Sequence, residues 1–87
     1  MLKIRRLSNG EVVFMVSGRL GADNLSELSA LLEAEAKDRC LALDLKDVVL
    51  VDRDIVHFLR GCGGEGVALR NCPPFIREWI ARDVEEA

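Results

Sequence analysis

His57 and Asp54 are the two residues whose types and spacing come nearest to an acid–base pair. His57 is the only histidine of the chain, and Asp54 precedes it by three residues on a predicted helix. Such a pair can transfer protons when a reacting group lies within hydrogen-bond reach. No serine or threonine occurs between Asp52 and Phe75, so the sequence places no nucleophile beside the pair. We therefore interpret His57 as an exposed helix residue that contacts a partner, and the sequence predicts no enzyme.

Three side chains, His57, Cys62 and Cys72, are of types that bind zinc. A structural zinc site commonly uses four ligands, often from C-x-x-C pairs, and the sequence contains no such pair. Cys62 is expected to face the core with Phe58 and Leu59, and Cys72 precedes two prolines at a turn. The sequence therefore predicts inert thiols and no metal site, with a Cys62–Cys72 disulfide as a minor alternative.

Four glycines close the same predicted helix: Gly61, Gly63, Gly64 and Gly66. A phosphate-binding loop would open a helix and would be followed by lysine and by serine or threonine. This glycine run lacks those residues and stands at the end of a helix. It predicts a helix terminus with a tight loop, and the sequence predicts no cofactor.

The elements that position these residues belong to a short chain. Its 87 residues, 49% hydrophobic and 31% charged, predict one domain over 1–87, with 82–87 as a frayed tail. A net charge of −3 and the short basic run Lys3, Arg5 and Arg6 argue against binding to nucleic acid or an anionic membrane. No apolar run approaches the roughly 20 residues that span a bilayer. Three cysteines without a paired framework suit a reducing cytoplasm.

The first segment predicts a hairpin. Leu2 and Ile4 alternate with charged residues, as in a half-buried strand. Asn9 and Gly10 then give a strong tight-turn signal. The apolar run 12–16 predicts a central strand covered on both faces.

A loop and a helix are predicted next. Residues 18–21 are interpreted as a loop because the segment begins and ends with glycine. Asn24 with Glu27 has the spacing of a capping box at the start of the helix that follows. The helical stripe that follows consists of Leu25, Leu28, Leu31 and Leu32. Lys37 and Arg39 are expected near the end of this helix, where cations suit the helix dipole.

Two buried strands and a helix follow in the middle of the sequence. Residues 40–45 and 48–51 are both apolar, and Lys46 and Asp47 between them predict a short turn. Asp52 is a good N-cap for the second helix.

The last segment predicts a short strand over 67–69 and a helix whose first turn is preset by Pro73 and Pro74. The expected inner face of this helix consists of Phe75, Ile76, Trp79 and Ile80, which makes Trp79 a core anchor. Strands that alternate with helices predict an α/β fold with a mixed, mostly parallel sheet of four to five strands and about three helices.

Three segments and their order resemble the STAS domain family, which includes the bacterial anti-sigma factor antagonists. The segments are VVFMVSGRLGADNLSEL, LALDLKDVVLVD and GVALRNCPPFIREWI. Together they extend over nearly the whole chain. The resemblance implies a STAS-like fold and a role as a protein-interaction module in bacterial signalling or transcription regulation.

The chain departs from the family at its phosphorylation site. In phosphorylated antagonists a serine follows the aspartate at the start of the second helix, and a kinase modifies that serine. Asp52 matches the aspartate, but Arg53, Asp54 and Ile55 follow it. The resemblance therefore does not extend to a switch by serine phosphorylation, and Asp54 could act as a permanent negative charge there. Alternatively, Asp54 is simply a cap or a partner of the helix dipole at the start of the second helix, with no regulatory role.

Family members bind partners through the loop after the second strand and the start of the second helix, which match residues 18–24 and 52–57. The predicted partner-binding residues are Gly18, Arg19, Asp23, Asn24, Asp52, Arg53, Asp54 and His57. The implied partner is an anti-sigma factor, a serine kinase of that type or a related signalling assembly.

Two other functions stay open at this stage. A small ligand, nucleotide or anion could bind at the start of the second helix, where free amides attract negative charge. The chain could also form a homodimer through the strand 2–7 or through its last helix.

Overall fold

The computed structural model describes residues 2–35 and 40–86, so Lys37 and Arg39 lie outside the described residues. The strands are β1 (Lys3–Ser8), β2 (Val12–Leu20), β3 (Leu41–Val51) and β4 (Ala68–Arg70). The helices are α1 (Leu25–Glu33), α2 (Arg53–Gly64) and α3 (Pro74–Glu86), and a 3₁₀ turn (Ala22–Asn24) precedes α1. The sheet order is β1-β2-β3-β4, with β1 antiparallel and the other pairs parallel. Over the described residues, this architecture confirms the predicted α/β fold, with a mixed four-stranded sheet and three helices.

The predicted hairpin joins β1 and β2. Ser8 pairs with Val12, and Gly10 between them takes a positive φ of 78° that favours glycine. β1 lies at the edge of the sheet and is mostly exposed. Arg6 of β1 donates two hydrogen bonds to the Glu35 carboxylate, at 3.1 and 2.9 Å, which attaches the edge strand to the segment after α1.

The core lies between the helices and one face of the sheet. Along β2, Val12, Phe14 and Val16 are buried, whereas Val13 and Met15 are half-buried. The predicted cover on both faces of this strand is therefore wrong, since alternate residues face the helices. The buried cluster consists of Val12, Phe14, Val16, Leu20, Leu28, Leu43, Leu45, Val48, Val51, Ile55, Val56, Leu59, Cys62, Val67 and Ile76.

The turn predicted at Lys46 and Asp47 is wrong, because β3 continues through both residues. Met15 pairs with Asp44 but Ser17 pairs with Asp47, so β3 contains one extra residue there, which is a β-bulge. The Asp44 side chain accepts a hydrogen bond from the Lys46 amide at 3.0 Å within this bulge. The polar pair in an apolar run therefore marks a bulge and not the end of a strand.

The glycines do not end α2 early, which corrects a second prediction. Gly61, Gly63 and Gly64 lie inside the helix, and only Gly66, with φ 90°, reverses the chain. The Val67 amide donates to the Cys62 carbonyl at 2.9 Å and the Gly66 amide to the Gly63 carbonyl at 3.4 Å. These two hydrogen bonds form a Schellman motif that satisfies the last carbonyls of the helix.

The last helix begins at the second of the two prolines, as predicted. It runs through the predicted frayed tail 82–87 as far as Glu86. Ile76 is buried and Ile80 packs against the core, but Phe75 and Trp79 are 44% and 36% exposed. The prediction that Trp79 anchors the core is therefore wrong.

Candidate functional site

A cavity of about 400 Å³ opens at the edge of the sheet where the parallel strands β2 and β3 end. We call the residues that line it the carboxyl-edge surface: Leu2, Arg19, Leu20, Gly21, Asp23, Asn24, Leu50, Val51 and Asp52. Four predicted partner-binding residues, Arg19, Asp23, Asn24 and Asp52, thus meet in one place. In open parallel sheets, this edge is where binding sites commonly form.

Asp52 joins the two segments that form the carboxyl-edge surface. Its Oδ1 accepts a hydrogen bond from the Ile55 amide at 3.0 Å, which confirms the predicted N-cap of α2. Its Oδ2 accepts a hydrogen bond from the Ala22 amide at 2.7 Å, across 30 residues of sequence. Because one carboxylate holds both segments, the start of α2 and the turn before α1 are fixed relative to each other. The sequence predicts the cap but contains no signal for the bond to Ala22.

The turn before α1 is closed by a reciprocal pair of hydrogen bonds between Gly21 and Asn24. The Gly21 amide donates to Asn24 Oδ1 at 3.0 Å, and the Asn24 amide donates to the Gly21 carbonyl at 2.9 Å. The predicted capping box of Asn24 with Glu27 is therefore wrong, since Asn24 makes no side-chain cap bond to α1. A Cβ at Gly21 would lie 2.9 Å from Asp23 Oδ1, so glycine leaves room for that carboxylate.

Two apolar side chains at the end of β3 are exposed to solvent. Val49 is 69% exposed and Leu50 is 53% exposed, although both belong to the apolar run 48–51 that predicted a buried strand. Gly18 pairs with Val48 but Arg19 pairs with Leu50, so β3 has a second extra residue here. This second bulge turns the two side chains away from the core. The unbroken apolar pattern gives no local sign of it.

Three other predicted residues, Gly18, Arg53 and Asp54, lie next to this surface but do not line the cavity. Gly18 belongs to β2, with φ 95° at the second bulge, so the predicted loop begins at Gly21 and not at Gly18. Arg53 and Asp54 are exposed in the first turn of α2. They therefore flank the cavity without lining it.

His57 contacts α3 instead of the carboxyl-edge surface. Its Nδ1 lies 3.3 Å from Oδ2 of Asp83, and Arg60 donates to the same oxygen at 3.3 Å. Burial acts to raise the pKa of Asp83, but the hydrogen bonds with His57 and Arg60 outweigh it and lower the pKa. The carboxylate that meets His57 is thus Asp83, which sequence spacing could not identify because it lies 26 residues away.

The cysteines are free thiols, with no Cys62–Cys72 disulfide. Burial, with a smaller contribution from Glu65, raises the pKa of Cys62 to about 11, so this thiol is protonated at neutral pH. Burial also raises the pKa of Cys72. Across 2–35 and 40–86, no group of three or more potential ligands is placed to hold a metal ion.

Within the described part of the chain, none of the helices combines the length and apolar character needed to cross a membrane.

No protein-family model matches the sequence, and no curated protein matches it. Among solved structures, the chain is similar to an uncharacterised protein of the DUF3478 family from Shewanella loihica PV-4, which has a SpoIIAA-like fold. The two are 16% identical, with a TM-score of 0.54 over 98% of this chain and 78% of that one. At this identity the likeness concerns the fold alone. The chain therefore has a SpoIIAA-like, that is STAS-like, fold.

Proposed function

We propose that the chain is a non-enzymatic, STAS-like protein-interaction module of bacterial signalling or transcription regulation, and that it acts in the cytoplasm. The carboxyl-edge surface is its docking surface. The observation that carries this proposal is the exposed Leu50 at a cavity that also contains Arg19 and Asp23. Protein-binding surfaces combine an apolar centre with a charged rim in this way.

The support beneath this surface favours a preorganised docking site. Leu20 and Val51 are nearly fully buried where they line the cavity, and Asp52 holds both flanking segments. A surface that is already ordered loses little conformational entropy on binding. A partner therefore needs one apolar side chain for the cavity and groups of both charge signs for Arg19 and Asp23.

The proposed partner is an anti-sigma factor, a serine kinase of that type or a related signalling assembly. Asp54 occupies the region where phosphorylated antagonists have a serine, and it is exposed in the first turn of α2. A fixed carboxylate there gives part of the charge of a phosphate without an enzyme to add or remove it. We propose that binding is not switched by serine phosphorylation at this position.

Binding measurements with matched variants test this proposal. Leu50→Asp places a charge in the apolar part of the surface, while Leu7→Asp makes the same change at a leucine of similar exposure on β1. Candidate anti-sigma kinases from the source organism are titrated against both variants. We expect Leu50→Asp to weaken binding at least about tenfold and Leu7→Asp to leave it unchanged. Equal affinity of the two variants for a bound kinase would contradict the surface assignment.

A second candidate function is the sensing of a small ligand in the same cavity, which is large enough for one. The buried parts of Leu20 and Val51 favour a ligand with an apolar body. A nucleotide phosphate or other anion fits less well, because Asp52 already accepts the Ala22 and Ile55 amide protons. Saturable thermal stabilisation by small apolar molecules or nucleotides, lost in Leu50→Asp, would support this function over protein docking.

A further inference from the structure

The outer face of α3 carries two exposed aromatic rings beside two opposite charges. We call Phe75, Glu78, Trp79 and Arg82 the α3 stripe, and they line a shallow depression of about 360 Å³. The side chains of Glu78 and Arg82 are 73% and 71% exposed. None of these residues belongs to the carboxyl-edge surface.

The position of the α3 stripe on the helix separates it from the core. Ile76 and Ile80 pack inward, and Asp83 contacts α2, so the opposite side of α3 is directed to solvent. Phe75 and Trp79 are four residues apart, which places their rings next to each other on that side. Adjacent exposed aromatic rings with a charged rim are typical of protein-interaction sites.

We propose that the α3 stripe binds a second copy of this chain, with the two α3 helices antiparallel about a twofold axis. The stripe has one acidic and one basic residue near its aromatic pair. A twofold axis brings the same patch of two copies together. If residue i of the first copy contacts residue j of the second, then residue j of the first also contacts residue i of the second. With the axis at the height of Ile80, midway between Glu78 and Arg82, Arg82 of each copy lies opposite Glu78 of the other, and the two Trp79 rings meet beside the axis.

Charge complementarity supports this occupant. Glu78 and Arg82 lie 3.8 Å apart within one copy, a loose and solvent-exposed ion pair that either residue can leave. In the antiparallel dimer each Arg82 pairs with the other copy's Glu78 and stacks on its Trp79 ring by a cation–π contact. A parallel pairing would instead place like charges opposite each other.

The dimer is expected to be weak. One stripe of four residues covers less than the roughly 800 Å² per partner of a standard stable complex. We expect association in roughly the micromolar to millimolar range, as is typical of weak and transient contacts of small area. Because the two surfaces share no residue, loss of this dimer and loss of partner binding at the carboxyl edge are separate results.

Charge reversal in a mixture tests the second copy as the occupant. Glu78→Arg leaves the stripe with two positive charges, and Arg82→Glu leaves it with two negative charges. Each variant alone is expected to dimerise at least about tenfold more weakly than the wild type in sedimentation equilibrium. An equimolar mixture of the two is expected to associate more tightly than the wild type. If Glu78 and Arg82 interacted only with each other within one helix, the mixture would gain no such affinity. Urea titration of each variant checks that it is folded.

Trp79 gives an independent readout, because it is the only tryptophan and the chain has no tyrosine. Its emission is expected to shift to shorter wavelength as wild-type concentration rises to millimolar, and Phe75→Ala is expected to reduce that shift. A wild-type chain that stays monomeric to millimolar concentration would overturn the proposal. That result is expected if the stripe binds a different protein instead of a second copy. A charge-reversed mixture that fails to associate would also overturn the proposal.

Discussion

The two ends of helix α2 are held by different means. At its start, the Asp52 side chain caps the helix and also bonds to Ala22 in another segment. At its end, the backbone amides of Gly66 and Val67, just after the helix, donate to carbonyls of its last turn and close a Schellman motif. The first end is therefore fixed to the rest of the molecule by a side chain, and the second end is satisfied locally.

This difference shows which end can support binding. A side chain that bridges two segments determines their relative position, so Asp52 acts on the whole carboxyl-edge surface. The Schellman end needs only a residue that tolerates φ of 90° at Gly66. Substitution of Asp52 should therefore affect stability and binding together, whereas substitutions at the end of α2 should affect stability alone.

Removal of the bridging carboxylate should have the largest effect on stability. Asp52→Ala is expected to lower the free energy of unfolding by about 1–3 kcal/mol, since it removes an N-cap and leaves two amides without their acceptor. Asp54→Ala, in the same first turn but exposed, is the matched control and should cost less than about 0.5 kcal/mol. Urea titration measures both values. Similar losses in the two variants would mean that the bridge adds nothing beyond ordinary helix-start charge.

The glycines at the other end should give smaller effects of opposite sign. A Cβ at Gly61 or at Gly66 would have open space around it, so only the backbone conformation differs. Gly66→Ala must adopt a positive φ and should lower the free energy of unfolding by about 1–2 kcal/mol. Gly61→Ala lies inside the helix and should raise it by about 0.5–1 kcal/mol.

Thermal or urea unfolding distinguishes these outcomes. If both glycine variants were destabilised, α2 would end before Gly61, as the glycine pattern first indicated. Neither variant should change binding at the carboxyl-edge surface, because the Schellman motif involves only the last turn of α2 and the Gly66 and Val67 amides just after it.

The sequence predicts features that depend on neighbouring residues. The hairpin at Gly10, the cap at Asp52 and the proline start of α3 each follow from local backbone chemistry, and the structure contains all three. The order of strands and helices predicts the α/β fold, and the resemblance of three segments to the STAS family predicts its STAS-like form. The glycines of α2 gave the wrong helix end. Gly66 ends the helix and Gly61 does not because only Gly66 has a positive φ, and that φ depends on the conformation of the whole helix end.

Features that depend on distant contacts could not be predicted from the sequence. The bond from Asp52 to Ala22 spans 30 residues, and Asp83 meets His57 across 26 residues. The two bulges of β3 arise from its pairing with β2, so the exposure of Leu50 has no local signal. For Trp79, helical spacing identified the stripe of apolar residues on α3 but not which of its two sides faces the core.

Amide hydrogen exchange in Asp52→Ala tests the bridge most directly. The Ala22 and Ile55 amides donate to the Asp52 side chain, whereas the Val56 amide donates to the Asp52 backbone carbonyl at 3.1 Å. We predict that substitution accelerates exchange at Ala22 and Ile55 more than at Val56. An Ala22 amide that exchanges equally fast in the wild type and in Asp52→Ala would contradict the claim that this carboxylate joins the two segments.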